Sequence, residues 1–241
     1  MIAVIFVVIT MIYVSVVGAL TGSIIVPSTG TIKGSSSSAI VVKVSQGIDD
    51  GFRMVRGVAD YWISRSGVCY DTGKDYWYPG EQVVADSWWL FRGVNISQGA
   101  TILSAKLTFT ASATQRGEVC NTKILAEAVD DATPITGDYK EGWDDYENRP
   151  KTFAVVPWHN LPPWRQGERH TSPDISAVIQ EIVNRPEWTL GNAIQIFWMD
   201  DGSSEGAEEA LRSACGYEYP LAPGTGEYAA ELEVTYETVT G

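Results

Sequence analysis

The chain has 241 residues, with 17 basic and 30 acidic side chains and a formal net charge of −13. Before Asp49 the only charged residues are Lys33 and Lys43, so the remainder holds 15 basic and 30 acidic residues, a net charge of −15. Such an acidic domain repels nucleic-acid phosphates and anionic lipid headgroups, and we expect it to bind neither. A neutral partner or a cation such as calcium suits it better, although a plain solvated acidic surface also accounts for the charge.

The first twenty residues carry no charge and are rich in Ile and Val. This length is sufficient to span the hydrocarbon core of a bilayer. Small residues at 18–22 offer a cleavage site, but the segment lacks the basic start of a standard secretory signal. Residues 1–22 are therefore predicted to be a signal peptide or transmembrane anchor, with the anchor slightly favoured. Either reading predicts a secreted or cell-surface protein attached to, or exported through, a membrane.

A serine-rich linker is predicted over residues 23–38, with four consecutive serines at its end. It contains the β-branched segment Ile24-Ile25-Val26. A detached segment with strand propensity ahead of a β-domain can pair with the edge of a neighbouring subunit, so self-association by strand donation is an alternative to a simple membrane-proximal linker. The folded domain is predicted to occupy residues 39–241.

Alternation of apolar and polar residues marks the strands of this domain. In residues 101–111, Leu103, Ala105, Leu107 and Phe109 share one face, and Ala230 opens a similar alternating run at the other end of the domain. One-sided alternation is typical of antiparallel sheets with one solvated face. Further strands are predicted at 39–44, 88–94, 123–129, 153–158 and 194–198, within a total of about eight to ten.

One amphipathic helix is predicted at residues 172–185. Ile175, Val178, Ile179 and Ile182 form a single apolar stripe, and Thr171 or Ser172 can cap its start. The predicted fold is therefore mainly β: an antiparallel, jelly-roll-like β-sandwich with one short α-helix, preceded by an N-terminal hydrophobic helix.

Three cysteines, Cys69, Cys120 and Cys215, lack the close spacing of zinc or redox motifs. In an oxidising compartment they allow one disulfide and one free thiol, and all three pairings remain open. Cysteine catalysis would need a histidine partner, and the chain has only His159 and His170. Common phosphate-loop, nucleophile-elbow and zinc-protease motifs are missing from the sequence. We therefore expect a protein that is not an enzyme.

The order of these pieces resembles the DNRLRE-domain family, which is related to disaggregatase-associated surface modules and to a carbohydrate-binding module family. The similarity covers about residues 49–237 and is most specific at 96–109 and 172–197. The sequence departs from the family in lacking its six-residue signature and in carrying a Tyr/Trp-rich insert between Cys69 and Gly80. The resemblance implies a β-sandwich on secreted or surface proteins, usually without catalytic activity, that in some members binds acidic polysaccharides.

Acidic doublets in predicted loops are candidate calcium ligands, because calcium takes six to eight hard oxygen ligands in flexible geometry. Loops at the ends of a sandwich often supply such ligands to a structural ion. Ordinary solvated turns are the alternative explanation. The predicted metal ligands are Asp49, Asp50, Glu127, Asp130 and Asp131.

Aromatic residues are numerous, with nine tryptophans and eleven tyrosines. A ring exposed in a loop beside carboxylates and an arginine can stack on a sugar while polar groups bind its hydroxyls, and an arginine can meet a uronic carboxylate. Alternatively, these rings pack the loops onto the sandwich. The predicted ligand-binding residues are Tyr76, Trp77, Trp143, Tyr146, Arg149 and Trp164.

Three functional hypotheses follow. The first is an exported, non-catalytic surface module that binds polysaccharide or another glycan, with structural calcium. The second is a structural subunit of an extracellular filament or sheath assembled by β-strand addition. The third is a polysaccharide lyase or hydrolase, which requires a pair of carboxyl groups placed across a sugar.

Overall fold

The computed structural model describes residues 35–56, 60–64, 69–78, 81–115, 117, 119–137, 139–204, 210–219 and 226–239, with side chains left undescribed for some of them. All of these residues belong to the unit Lys33–Gly241. The predicted export segment 1–22 and most of the predicted linker 23–38 lie outside the described residues. Within the ranges given, no helix is long and apolar enough to cross a membrane.

Twelve strands and two α-helices make up the described chain, with a short 3-10 turn at Gly47–Asp49. Both helices lie in the second half of the chain. The elements are β1 (Ser35–Lys43), β2 (Asp50–Arg56), β3 (Asp60–Ser64), β4 (Cys69–Tyr78), β5 (Glu81–Phe91), β6 (Thr101–Thr110), β7 (Cys120–Ala126), α1 (Tyr139–Asn148), β8 (Val156–Leu161), β9 (Arg169–Thr171), α2 (Ser176–Val183), β10 (Ile194–Asp200), β11 (Ala210–Cys215) and β12 (Glu231–Val239).

The strands form two antiparallel sheets. The four-stranded sheet has the order β1-β12-β6-β9. The eight-stranded sheet has the order β11-β4-β5-β10-β7-β8, with β2 added to β5 and β3 added to β2. Strand β5 is the branch point, because its first half pairs with β4 and its second half with β10, while β2 pairs along both halves.

The inner faces of the two sheets share one hydrophobic core. Trp89 of β5 and Phe109 of β6 meet across it, with ring centroids 4.6 Å apart. Because strand side chains alternate, each sheet contributes every second residue to this layer. The prediction of a mainly β fold with antiparallel sheets is confirmed, and a core shared by two facing sheets is the arrangement of a β-sandwich. Core residues include Ala105, Leu107, Ile124, Ile194, Ile196, Trp198, Leu232 and Val234.

Strand β6 departs from the predicted alternation at Leu103. Pairing with β12 runs from Ser104 directly to Ile102, which leaves Leu103 as the extra residue of a bulge. A bulge reverses the alternation beyond it, so Ile102 is buried while Leu103 is 44% exposed. The prediction that Leu103 faces the core was wrong. The predictions for Ala105, Leu107, Phe109 and Ala111 are confirmed, because all four are buried.

The helices differ from the sequence prediction in number. Helix α2 is present and buries its predicted apolar stripe against β6. The prediction of a single helix was wrong, because α1 lies over residues that were assigned to a loop. Its Tyr146 packs with Trp88 and Phe197 on the outer face of the eight-stranded sheet. The larger sheet is therefore covered on both faces at this position.

Two further segments extend beyond their predicted elements. Strand β1 begins at Ser35, so the serines assigned to the linker are part of the sheet and pair with β12 through Val239. Residues 69–78, treated as a loop insert, form β4. Both segments pair with neighbouring strands along their backbone, which outweighs the loop preference of the serines at 35–38 and of the Asp-Thr-Gly segment at 71–73.

Candidate functional site

The predicted aromatic loop around Trp143 is helix α1, which binds an arginine of the sheet. Arg53 on β2 donates to Asp86 on β5 across 2.9 Å and also binds Glu147 of α1. Burial raises the pKa of Asp86, although the Arg53 guanidinium beside it acts in the opposite direction. The Arg53–Asp86 pair is nearly inaccessible and lies within the sheet, whereas Glu147 of α1 is 46% exposed. Arg53 therefore links α1 to the sheet through Glu147, and its pairing with two carboxylates leaves little of its charge for an external ligand.

The Arg53 guanidinium also lies between two aromatic rings of α1. Its central carbon is 4.4 Å from the ring centroid of Trp143 and 4.3 Å from that of Tyr146. Such contacts combine cation–π attraction with coverage of the rings. Tyr146 is fully buried, so its ring has no face open to a sugar in this conformation, whereas Trp143 is half-buried.

Arg149, predicted to bind a uronic carboxylate, is turned inward. Its guanidinium donates to Glu127 across 2.8 Å and to Asp145 across 3.0 Å. It also donates to two backbone carbonyls of the preceding loop, at 2.6 and 2.9 Å. Through these hydrogen bonds the guanidinium joins the loop that precedes α1 to the helix. A ligand carboxylate would have to displace these acceptors in order to bind Arg149.

Trp164 belongs to the aromatic core. Its ring stacks on His170, with centroids 4.3 Å apart, and approaches Trp198 at 5.6 Å. It is fully buried, which places it among the core rings and not on the surface. Burial lowers the pKa of His170, so the imidazole beside it is held neutral.

The remaining two ligand candidates, Tyr76 and Trp77, lie in β4 and not in a loop. Their side chains fall outside the described residues. The structure thus places Trp143 and Tyr146 on α1 and Arg149 directly after it, but the side chains of Tyr146 and Arg149 are buried in the protein.

At the domain entry, the two carboxylates predicted to bind calcium have protein partners. Arg92 binds Asp49 in a bidentate manner, at 2.6 and 2.8 Å. Asp50 accepts hydrogen bonds from the Tyr70 hydroxyl at 2.9 Å and from the Tyr217 backbone N–H at 2.8 Å. Burial raises the pKa of Asp50 well above its ordinary value, even though the Tyr70 hydrogen bond acts against the rise.

The other three metal candidates are partnered in the same way. Glu127 is bound by Arg149, Arg185 donates to Asp130 across 3.1 Å, and a backbone N–H donates to Asp131 across 2.8 Å. Among the described residues, no group of three or more His, Cys, Asp or Glu side chains is arranged to hold a metal ion. The five predicted ligands therefore do not form a common calcium cage within the part of the chain described.

The four-stranded sheet offers a different kind of site, at its edges. On one edge, β9 covers only the last three residues of β6. Beyond β9, the segment leading into α2 takes over: Ser172 Oγ accepts the Leu107 N–H at 3.0 Å, and Asp174 Oδ1 accepts the Ala105 N–H at 3.0 Å. Side-chain oxygens thus replace the carbonyls of a missing strand.

Gln180 completes this sealed edge, which comprises Ser172, Asp174 and Gln180. Its amide oxygen accepts the Ile102 N–H at 2.8 Å, and its amide nitrogen donates to the Ala100 carbonyl at 2.8 Å. A side-chain amide has the same donor and acceptor as a peptide group, so Gln180 occupies the place of a strand residue. These bonds leave β6 little capacity to recruit another strand.

The opposite edge of the same sheet is β1, which we call the open edge. It pairs with β12 over nine residues, and no described strand pairs with its other side. Lys43 is its only charged residue. Val41 on its outer face is 64% exposed, and Ile40 and Val42 on its inner face are only partly buried against the core.

A shallow groove of about 340 Å³ runs beside the open edge. It is bordered by the end of β1 and by the turn that follows β5. Apolar side chains on one wall and backbone groups along the strand are the features that an added extended segment uses. The lining residues are Ile40, Val41, Val42, Lys43, Gly93 and Asn95.

Comparisons with known proteins add little to this geometry. No family model matches the chain, and no curated protein matches it. Among solved structures, it is similar to a mud crab tombus-like virus structure at 7% identity, covering 97% of this chain and 94% of that one, with a TM-score of 0.27. It is also similar to a structure of infectious bursal disease virus, Gx strain, at 14% identity, covering 89% and 41%, with a TM-score of 0.25. Scores this low establish no shared fold and no shared function.

Proposed function

We propose that this chain is a non-catalytic, exported surface module that joins neighbouring copies by adding a β-strand to its open edge. The observation that carries the proposal is β1 itself: a nine-residue edge strand with one charged residue and no described partner on its outer side. Edge strands of monomeric proteins are normally short, charged, interrupted by proline or covered, because bare edges recruit other chains.

The other edge strands of the protein have these protective features. Strand β9 has three residues and a charged start, β8 contains Pro157, and β3 begins with Asp60. Strand β11 has six residues and carries the buried Arg212. Among the described strands, β1 is thus the longest edge and the least protected one, which favours it as the site of association.

The occupant that we propose is the segment Ile24–Val26 of a second copy. Its β-branched residues have high strand propensity and no charge. Residues 27–34 separate it from β1, and eight extended residues span roughly 25–30 Å. That reach allows donation to a neighbour and would, through successive copies, generate a filament or sheath. Folding back onto the same copy is the competing outcome.

Two lines of support from the sequence concern location and chemistry. The apolar segment 1–22 predicts export, and the resemblance to the DNRLRE-domain family implies a surface module without catalytic activity. A surface module attached near its N-terminus would keep Ile24–Val26 close to neighbouring copies. The resemblance supports the surface location and the lack of catalysis, and the open edge supports strand addition.

Strand donation can be tested with two proline substitutions in the full-length chain. Ile25→Pro removes a backbone donor and blocks pairing of the donor segment, whereas Ser28→Pro places the same residue in the spacer. We expect multimers or filaments for the wild type and Ser28→Pro in light scattering and negative-stain images, and monomers for Ile25→Pro. Monomeric wild-type protein at all concentrations, or equal assembly of both variants, would overturn the proposal.

Glycan binding is a second candidate, favoured by Trp143. The half-buried indole of Trp143 lies on α1, a helix with an acidic surface. The Arg53 guanidinium of β2 is 4.4 Å from its ring centroid, and such an indole suits stacking on a sugar. Residues 49–241 have a net charge of −15, which opposes direct binding of a polyanion, so in this second candidate calcium would bridge the protein and the polysaccharide.

Affinity electrophoresis in gels containing neutral or acidic polysaccharide, with and without a chelator, tests the second candidate. We expect retardation of the wild type and of the control Leu190→Ala, loss of retardation for Trp143→Ala, and recovery with Trp143→Phe. Retardation of an acidic polymer that disappears with chelator would assign the bridging role to calcium. Wild-type migration unaffected by every polymer would remove glycan binding.

A further inference from the structure

Two of the three cysteines lie directly opposite each other in the eight-stranded sheet. Strand β11 pairs with β4 in antiparallel register from Ala210 opposite Lys74 to Cys215 opposite Cys69. Opposed residues of antiparallel strands have Cα atoms about 4.5 or 5.5 Å apart. Disulfides span Cα separations of about 4.4–6.8 Å, so the backbone already has the spacing of a disulfide.

The two side chains also share a face of the sheet. Opposed residues in a β-ladder project to the same side, and the alternation places the neighbouring pair Tyr70 and Ala214 on the core side. Cys69 and Cys215 therefore project from the outer face. Ser213, two residues from Cys215, contacts Asp71 on that same face, as the alternation requires.

Cys120 is separated from this pair. It is fully buried in the core of the sandwich, where its Sγ lies 3.9 Å from the carbonyl oxygen of Thr72. Thr72 is three residues along β4 from Cys69, a distance of roughly 10 Å. Cys120 lies on the core side of the eight-stranded sheet, whereas Cys69 and Cys215 project from the outer face of that sheet. Cys120 therefore cannot reach either of them without movement of the backbone.

We propose that Cys69 and Cys215 form a cross-strand disulfide when a low-molecular-weight disulfide such as glutathione disulfide is present. The exposed Cys69 thiolate attacks the small disulfide, forms a mixed disulfide and releases one thiolate. The Cys215 thiolate then attacks the Cys69 sulfur and displaces the second. The two protons lost by the cysteines go to the two released thiolates, so two protein thiols become one disulfide and one small disulfide becomes two thiols.

The bond would tie β11 to β4 and close a covalent loop from residue 69 to residue 215. Strand β11 also makes a single bridge from Ala214 to Ala111, just beyond β6. Fastening β11 thus stabilises a contact between the two sheets. Burial raises the pKa of Cys215 to about 12, and the adjacent Cys69 contributes to the rise, so oxidation is expected to be slow at neutral pH and faster at alkaline pH.

Thiol counting on the full-length chain tests the pairing. After incubation with glutathione disulfide and denaturation, one of the three cysteines should still react with a maleimide-polyethylene glycol, and peptide mass spectrometry should identify the link between Cys69 and Cys215. The variant Cys120→Ala should retain no reactive thiol. We expect the oxidised chain to melt about 5–10 °C above the reduced chain.

Variants of the two partners complete the test. Cys69→Ala and Cys215→Ala should form no internal link and should show no rise in melting temperature on oxidation, while Cys120→Ala should behave like the wild type. Three reactive thiols after oxidation, a stable glutathione adduct on Cys69 without a link, or a link that includes Cys120 would each overturn the assignment.

Discussion

The two edges of the four-stranded sheet end in different ways. Along β6, three side chains of the sealed edge bind the backbone groups that a further strand would bind. Along the nine residues of β1, every second residue points its backbone groups away from β12, where no described strand pairs with them. One sheet therefore has one edge completed from within the chain and one edge without a described partner strand. Under the proposed strand addition, recruitment would be directed to that single side.

Helix α2 makes this difference, because it holds the sealing side chains in place. It packs its apolar stripe into the core next to β6 and presents Gln180 to the edge. No comparable element follows β1 in the described chain. Truncating the buried apolar residues of α2 should therefore reduce the free energy of unfolding most. Changing an exposed residue of β1 should reduce it least.

Ile179→Ala should loosen the sealed edge most strongly. Ile179 is fully buried in the shared core, so its truncation leaves a cavity and should lower the free energy of unfolding by about 2–5 kcal/mol. Chemical denaturation followed by tryptophan fluorescence measures the change. Phe153→Ala is the matched control, since Phe153 is 99% exposed and should change stability by less than about 0.5 kcal/mol. Equal effects of the two substitutions would contradict the role of α2.

Gln180→Ala should have an intermediate effect. It removes the acceptor of Ile102 and the donor to Ala100 without altering the core, and should cost about 1–3 kcal/mol. The exposed Glu187 supplies a control, because Glu187→Ala leaves the edge intact. Amide hydrogen exchange at Ile102 should accelerate in Gln180→Ala alone, and unchanged exchange there would show that Gln180 does not complete the sheet.

Asp174 should make the sealed edge sensitive to acid. Burial opposes its ionisation, but the backbone N–H groups of Ala105 and Ser176 donate to the carboxylate and hold its pKa below 3.8. A lowered folded-state pKa contributes stability above the unfolded pKa that is lost as the pH falls through the folded one. Between about pH 6 and about pH 3, the melting temperature of the wild type should therefore fall further than that of Asp174→Asn. Parallel curves would contradict this contribution.

Val41→Lys should have the smallest effect on stability and a specific effect on association. The side chain is largely exposed, so unfolding should change by less than about 0.5 kcal/mol. A lysine on an edge strand opposes strand addition, and assembly should need roughly tenfold more protein. Leu103→Lys places the same charge on an exposed position of β6 beside the sealed edge and should leave assembly unchanged. Light scattering across a dilution series distinguishes the two variants.

Much of the fold could be predicted from the sequence, because local periodicity specifies it. The apolar stripe of α2, the alternation in β12 and that in β6 after Leu103 are confirmed. The start of α2 was placed too early: the helix begins at Ser176, and Ser172 binds a backbone N–H of β6 in place of capping the helix. Asp174 accepts one N–H from β6 and one from Ser176. The backbone N–H groups of β6 lie 65 and 69 residues away in the sequence and bind the side chains that were predicted to start the helix. A local sequence pattern does not reveal this competition.

The candidate site was less predictable. Helix α1 contains Gly142 and has only Trp143 and Tyr146 as large apolar residues after its start, so it shows no stripe. Tyr146 and Trp164 were predicted either to bind a ligand from an exposed loop or to pack the loops onto the sandwich, and the second alternative holds, because both rings are buried. The pairing of β1 with β12 and of β4 with β11 creates the open edge and the opposed cysteines. Neither pairing can be predicted from composition or residue spacing.

Amide hydrogen exchange of β1, measured in dilute and concentrated solutions of the full-length chain, tests the open edge most directly. In alternate residues of β1 the N–H groups point away from β12 and can be protected only by an added strand. We expect these amides to gain protection with concentration in the wild type and not in Ile25→Pro, while Ile102, Ala105 and Leu107 are protected at every concentration. Exchange in β1 that is independent of concentration, or equally slow in Ile25→Pro, would contradict strand addition between copies.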